Sequence, residues 1–123
     1  MGLTTELGPF RTVFTGNHSS LVENVWGWTK MGNVLFLESP YGVGYSYTTN
    51  ASYSSWNDST TAEINVGALK EFFGRFPEYQ NRPFYVTGES YGGVYVPTLV
   101  DQLLRTITVS AGWFLKTMPI FEI

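Results

Sequence analysis

The chain has 123 residues, 43% hydrophobic and 17% aromatic, with seven basic and ten acidic side chains and a formal net charge of −3. That length supports one modest core and not two ordinary domains. The aromatic content argues against a disordered chain, and the absence of any basic run argues against nucleic acid or an acidic membrane surface as a partner.

No apolar stretch approaches the ~20 residues that cross a bilayer. Residues 1–9 have neither a basic start nor an apolar run, so they are not expected to be a signal peptide. Leu7-Gly-Pro9 marks a turn. Residues 10–15 alternate loosely and read as a short strand ending at Gly16-Asn17. Residues 33–37, Asn-Val-Leu-Phe-Leu, form the continuous apolar run expected of a strand buried on both faces of a parallel sheet. Ser39-Pro-Tyr-Gly-Val-Gly44 breaks it, and residues 45–58 read as an exposed loop.

Residues 60–76 predict a helix. Ile64, Ala68, Phe72 and Phe76 form its apolar stripe, widened by Leu69 and Phe73. Asn57, Asp58 and Ser59 are candidate N-caps. Pro77 ends the helix, because the residue before a proline is pushed out of the α region. Residues 83–87 predict a strand and residues 91–105 a second helix. That helix carries Tyr95, Val96, Leu99, Val100, Leu103 and Leu104 on one side, with a kink or restart expected at Pro97. Residues 107–109 could form a strand. Residues 112–121 are apolar without a clear period and read as a core strand with a loop or as an artificial chain end. Strand alternating with helix indicates an α/β sheet with right-handed crossovers.

The most informative stretch is Pro83-Phe-Tyr-Val-Thr-Gly-Glu-Ser-Tyr-Gly92. A buried strand stops at Gly88, and Gly88-Glu-Ser-Tyr-Gly92 has the spacing of a nucleophile elbow. In such an elbow the serine sits on a strained strand-to-helix turn. Gly88 and Gly92 let backbone approach backbone, and the helix N-terminus behind favours developing negative charge. The plain alternative for Ser90 is a turn serine.

Other signals are weaker. Gly42-Val-Gly44 lacks the third glycine and the lysine of a phosphate loop and reads as a turn. Trp26, Trp28, Tyr45, Tyr47, Tyr53 and Trp56 suit a peptide or carbohydrate cleft, although such residues more often fill a core. No carboxylate–histidine cluster has metal-ligand spacing, cysteine is absent, and no cofactor is expected. Three glycosylation sequons, at Asn17, Asn50 and Asn57, hint at a secretory route.

Taken together, Glu6-Leu-Gly-Pro9, Trp28, Asn33-Val-Leu-Phe-Leu-Glu-Ser-Pro40, Gly42-Val-Gly-Tyr-Ser-Tyr47, Phe76-Pro-Glu-Tyr79, Gly88-Glu-Ser-Tyr-Gly92 and Tyr95-Val-Pro97 resemble the serine carboxypeptidase family, its lysosomal cathepsin A type in particular. The resemblance runs from about Glu6 to about Arg105. It implies an α/β-hydrolase fold, a mostly parallel sheet with flanking helices, and removal of single residues from the C-termini of peptides and proteins at acidic pH. It implies a partial hydrolase domain over residues 1–106, with residues 107–123 a divergent tail. The implied setting is the secretory pathway, lysosomal or extracellular.

By this resemblance Ser90 is the nucleophile that forms an acyl-enzyme, and the N–H of Tyr91 is an oxyanion-hole donor. Glu6 and Glu89 match the acids that hold the substrate's terminal carboxylate. A protonated carboxyl donates a hydrogen bond to a carboxylate, whereas an ionised one repels it, which would tie the activity to acid. Tyr41 stands where the family often has a small residue.

The departures are as informative. The family's Asn-Gly-Gly-Pro-Gly-Cys-Ser-Ser segment, which supplies the second oxyanion donor, is not in the chain. The triad order of the fold is Ser, Asp, His, yet no histidine follows Ser90. The sole histidine, His18, reads as a loop residue, and Asp101 as a surface acid on the following helix. The resemblance therefore implies a truncated fragment or an incomplete gene model, inactive by itself. Two other readings stand beside it: an acyltransferase or esterase of the same superfamily, and a non-enzymatic remnant.

Overall fold

The computed structural model describes residues 2–49, 56–109 and 120–122. They fall into two compact units, Met1–Leu37 and Glu38–Ile123.

The first unit begins with one helical turn, α1 (Gly2–Thr5), followed by the antiparallel strands β1 (Phe10–Thr15) and β2 (His18–Glu23). The register pairs Phe10 with Glu23 and Thr15 with His18, leaving Gly16 and Asn17 as a two-residue turn. Gly16 has φ +60°, the left-handed backbone that a tight hairpin turn needs at its first position and glycine adopts without a Cβ clash. A two-stranded ribbon has no inside, so its apolar side chains stay in solvent: Phe14 is 77% exposed and Leu21 63%.

The ribbon's base is held by backbone groups. Four consecutive carbonyls, Glu6 to Pro9, accept hydrogen bonds from two residues. The Asn24 side-chain Nδ2 donates to Glu6 O at 2.8 Å and to Gly8 O at 2.9 Å. The Asn24 N–H donates to Pro9 O at 2.8 Å, and the Trp28 N–H to Leu7 O at 2.9 Å. Asn24 is buried and its Oδ1 accepts from the Trp26 N–H at 3.2 Å, so each polar atom of its amide has a partner. A single 3-10 turn, Trp28–Lys30, follows.

In the second unit α2 (Asp58–Arg75) packs on α3 (Gly92–Val109). Of the three candidate caps Asn57 is the one used, its Oδ1 accepting from the Thr60 N–H at 2.9 Å. The helix stops at Phe76, and Pro77–Tyr79 form a 3-10 turn. Val66 and Leu69 of α2 meet Leu99 and Leu103 of α3 in the core, with Phe73, Phe84 and Val86 packed against them. Removing each of these aliphatic side chains from water contributes about 2 kcal/mol before entropy is set against it.

The buried face of α2 runs through Thr61, Ala62, Asn65, Val66 and Leu69. This is a rotation from the expected stripe, since Ile64, Ala68 and Phe72 are half-buried and Phe76 is exposed. The helix has a second apolar row, and the row with smaller side chains, Ala62 and Val66, turns to the core. The face of α3 is as expected at Val96, Leu99, Val100 and Leu103, but Leu104 is exposed. Pro97 causes no restart: α3 is continuous through it and extends over residues 107–109, expected as a strand.

Strand β3 is short (Val86–Gly88) and pairs parallel with β4 (Ile120–Glu122), Val86 opposite Ile120. Residues 33–37 are not a strand among the described residues, and Leu35 and Leu37 are 41% exposed. An apolar run becomes a strand only with a neighbour to pair with, and none of the described strands pairs there. Helices and strands thus make an α/β chain, with one antiparallel ribbon and one parallel pair. Residues 110–119, which include most of the apolar tail run, lie outside the described residues, as do residues 50–55 of the expected loop.

Candidate active site

Between the end of β3 and the start of α3 the chain reverses within three residues. Glu89 and Ser90 are both exposed on that bend. Ser90 has φ +58°. Among the described residues one other non-glycine, Asn81, has a positive φ, and asparagine tolerates that region. Serine does not favour it, and holding it there costs on the order of 1 kcal/mol or more. The surrounding structure therefore imposes the bend.

Gly88 shows one reason the bend can be this tight. A Cβ there would stand 2.8 Å from Val96 Cγ2, closer than real Cβ atoms approach, and a tight 3.0 Å from Gly92 Cα. At Gly92 the same construction meets nothing within 4 Å, so space alone demands glycine at one of the two positions. On the helix side the first turn closes tightly. The Gly92 N–H donates to Glu89 O at 2.9 Å, the Gly93 N–H to Ser90 O at 3.0 Å and the Val94 N–H to Tyr91 O at 3.0 Å. The N–H of Tyr91 has no acceptor among the described residues. It sits at the positive end of an 18-residue helix, where backbone donors and the helix dipole together favour an anion.

The Tyr91 side chain ties the bend to α2. Its ring packs edge-on against Tyr95 at a centroid distance of 4.9 Å. Its hydroxyl points at the Asp58 carboxylate, 3.4 Å from Oδ1 and 3.5 Å from Oδ2. The negative charge of Asp58 is the main reason the Tyr91 phenol holds its proton above the usual tyrosine range. Sequence reading had placed Asp58 only as a candidate cap.

The remaining expected residues fall as follows. Glu6 is exposed in the first unit, and its carbonyl is one of the four held by Asn24 and Trp28. Glu89 belongs to the second unit. His18 is exposed on β2 opposite Thr15. Asp101 is exposed and pairs with Arg105 at 2.8 Å one helical turn on, as a surface acid does. Among the described residues no group of three His, Cys, Asp or Glu could hold a metal ion, and no helix is long and apolar enough to cross a membrane.

Two residues escaped the sequence reading. Asn24 orders the segment carrying Glu6, and its partners are backbone carbonyls that leave no mark in the sequence. Glu38 closes the glycine-rich loop after it: its carboxylate accepts from the Tyr45 N–H, and its carbonyl accepts from the Ser46 hydroxyl at 2.6 Å. A side chain at Gly44 would run into that carboxylate.

A strained, exposed serine at a strand-to-helix bend is a geometry shared by many hydrolases. Comparison with known proteins narrows it. The model of one family, described as serine carboxypeptidase, matches residues 1–118. The chain belongs to the serine carboxypeptidase family. Serine carboxypeptidases have an α/β-hydrolase fold, so the bend at Ser90 stands in the context in which such bends occur.

A serine carboxypeptidase of Caenorhabditis elegans is 50% identical over 104 residues, covering 85% of this chain and 22% of that protein. Serine carboxypeptidase 24 of Arabidopsis thaliana is 48% identical over 103 residues, covering 83% of this chain and 22% of its own length. The lysosomal protective protein of the mouse is 47% identical over 104 residues, covering 85% and 21%. The chain thus spans about a fifth of the length of the curated relatives it matches.

Proposed function

We propose that the protein carrying this chain is a serine-type carboxypeptidase and that these residues supply its nucleophile. The observation that carries the reading is Ser90 itself: an exposed serine held at φ +58° beside a helix N-terminus, in a chain of this family. The Ser90 hydroxyl forms a bond to the scissile carbonyl carbon, the C–N bond breaks, and the hydroxyl proton leaves with the amine. Water then hydrolyses the ester. The Tyr91 N–H donates to the oxyanion of the tetrahedral intermediate. By their match to the family's motifs, Glu6 and Glu89 are each assigned to the substrate's terminal carboxylate, a role that restricts cleavage to the last residue. Gly88 and Gly92 complete the elbow.

No histidine follows Ser90 in these 123 residues. The reading therefore assigns the base to the whole protein, and these residues by themselves should be inactive. It also includes a mostly parallel sheet with flanking helices, of which the β3–β4 pair is part, and a lysosomal or extracellular setting reached through the secretory pathway.

The test is Ser90→Ala in the protein that carries this chain. Hydrolysis of peptide C-termini should vanish while the thermal transition stays in place. Turnover at the parent rate would end the proposal. If Glu6→Gln and Glu89→Gln change neither peptide affinity nor its pH dependence, the assignment moves to an esterase or acyltransferase of the same superfamily. A fluorophosphonate probe checks the second part: strong, fold-dependent labelling of Ser90 in the 123-residue chain would contradict its inactivity.

A further inference from the structure

One motif remains unused by the chemistry above: the sequon Asn17-His-Ser19 at the tip of the β1–β2 ribbon. We infer that Asn17 is a modification site and carries an N-linked oligosaccharide. The inference rests on the secretory-route reading, which brings the chain to the membrane enzyme that acts on such sequons.

The geometry favours this asparagine. Asn17 is the second residue of a two-residue hairpin turn, and all three residues of its sequon are exposed. Its amide has no hydrogen-bond partner among the described residues, so no fold contact is lost when its nitrogen is substituted. Among the described residues nothing covers the sequon, which leaves room for a bulky, hydrated group. Asn57 has a second task, since its amide oxygen caps α2 by accepting from the Thr60 N–H at 2.9 Å. A glycan at the ribbon tip would also place hydrated mass beside Phe14, 77% exposed on the same ribbon.

The step balances with a polyprenyl-diphosphate-linked oligosaccharide as co-substrate. The Asn17 amide nitrogen forms a bond to the sugar's anomeric carbon. The bond from that carbon to the diphosphate oxygen breaks, and the diphosphate leaves with the electron pair while the amide loses one proton. The Ser19 hydroxyl is the sequon element that the transferring enzyme requires.

Trypsin separates the sites cleanly. Cleavage after Arg11 and Lys30 releases residues 12–30, with the Asn17 sequon alone, whereas residues 31–70 carry both others. The protein that carries this chain is produced in cultured eukaryotic cells and purified. It is treated with peptide N-glycosidase in heavy-oxygen water, digested and analysed by mass spectrometry. The expected result is a labelled aspartate at position 17 in most copies of peptide 12–30, lost in Ser19→Ala and raised in occupancy by Ser19→Thr. Label on residues 31–70 with none on 12–30 overturns the inference and leaves the secretory reading standing. Label on neither peptide overturns both.

Discussion

The first unit closes on four backbone carbonyls gathered by Asn24 and Trp28, and it leaves its large apolar side chains in water. The second closes on aliphatic side chains, with Leu103 fully buried at its centre. In one case directional bonds fix a segment with almost no core. In the other, non-directional burial fixes two helices and, among the described residues, holds Ser90 at a positive φ that serine disfavours. The chemistry is assigned where packing is strong enough to hold a bend that serine disfavours.

The largest break in that comparison is expected at Ser90. Replacing it by alanine in the active protein should lower kcat on the order of 10⁶-fold while leaving the urea midpoint within error. A loss of activity that follows a loss of fold would show that the bend is structural instead. Leu103→Ala probes the opposite quality of the same unit and should destabilise it by about 3 kcal/mol. Leu21→Ala, on the open ribbon, should change stability by less than about 0.5 kcal/mol, and equal effects at the two leucines would erase the contrast.

Asn24→Ala sharpens the other half. It strips donors from the carbonyls of Glu6 and Gly8 and should cost about 1–3 kcal/mol, concentrated in the first unit and visible as faster amide exchange there. Asn24→Asp keeps an acceptor and loses both donated bonds, so it should rescue little. Glu6→Gln should leave stability alone and flatten the acid dependence of peptide affinity, because an amide donates a hydrogen bond at every pH. A full pH profile in that variant would remove Glu6 from the carboxylate site.

The smallest effect belongs to Asp58→Asn. The Tyr91 phenol is raised chiefly by the Asp58 charge, so neutralising that charge should bring its titration back down toward the ordinary tyrosine range. The sign follows from electrostatics: a nearby carboxylate opposes formation of phenolate, so its removal makes the proton easier to lose. Ultraviolet titration against Tyr91→Phe identifies the band, and an unmoved band would place Asp58 and Tyr91 apart in solution.

What was legible in the sequence follows the same division. The two helices were visible because burial writes a period into them. The boundaries of α2 were visible because Asn57 and Pro77 act locally, whereas α3 runs on through residues 107–109, which read as a strand. Which face of α2 would turn inward was not visible, since two apolar rows run along it and only the neighbouring helix selects one. The bend at Ser90 was legible because a Gly-x-Ser-x-Gly spacing after a strand marks a turn where the lack of a Cβ lets backbone approach backbone. The ribbon was half legible: residues 10–15 alternate, but His18–Glu23 is mostly polar and declares itself only by pairing. Residues 33–37 misled because apolarity reports a preference for burial and not the presence of a partner. Asn24 left no sign at all, because what it binds is main chain.

The clamp at Asn24 has one more implication. It fastens the chain to itself across the span between Gly8 and Asn24, so everything in between is a detour that departs from and returns to one anchored point. Residues added or removed at the tip lengthen or shorten the excursion without shifting Glu6. Evolution, or an engineer, can therefore change the length of the tip around its sequon while the anchored glutamate keeps its place.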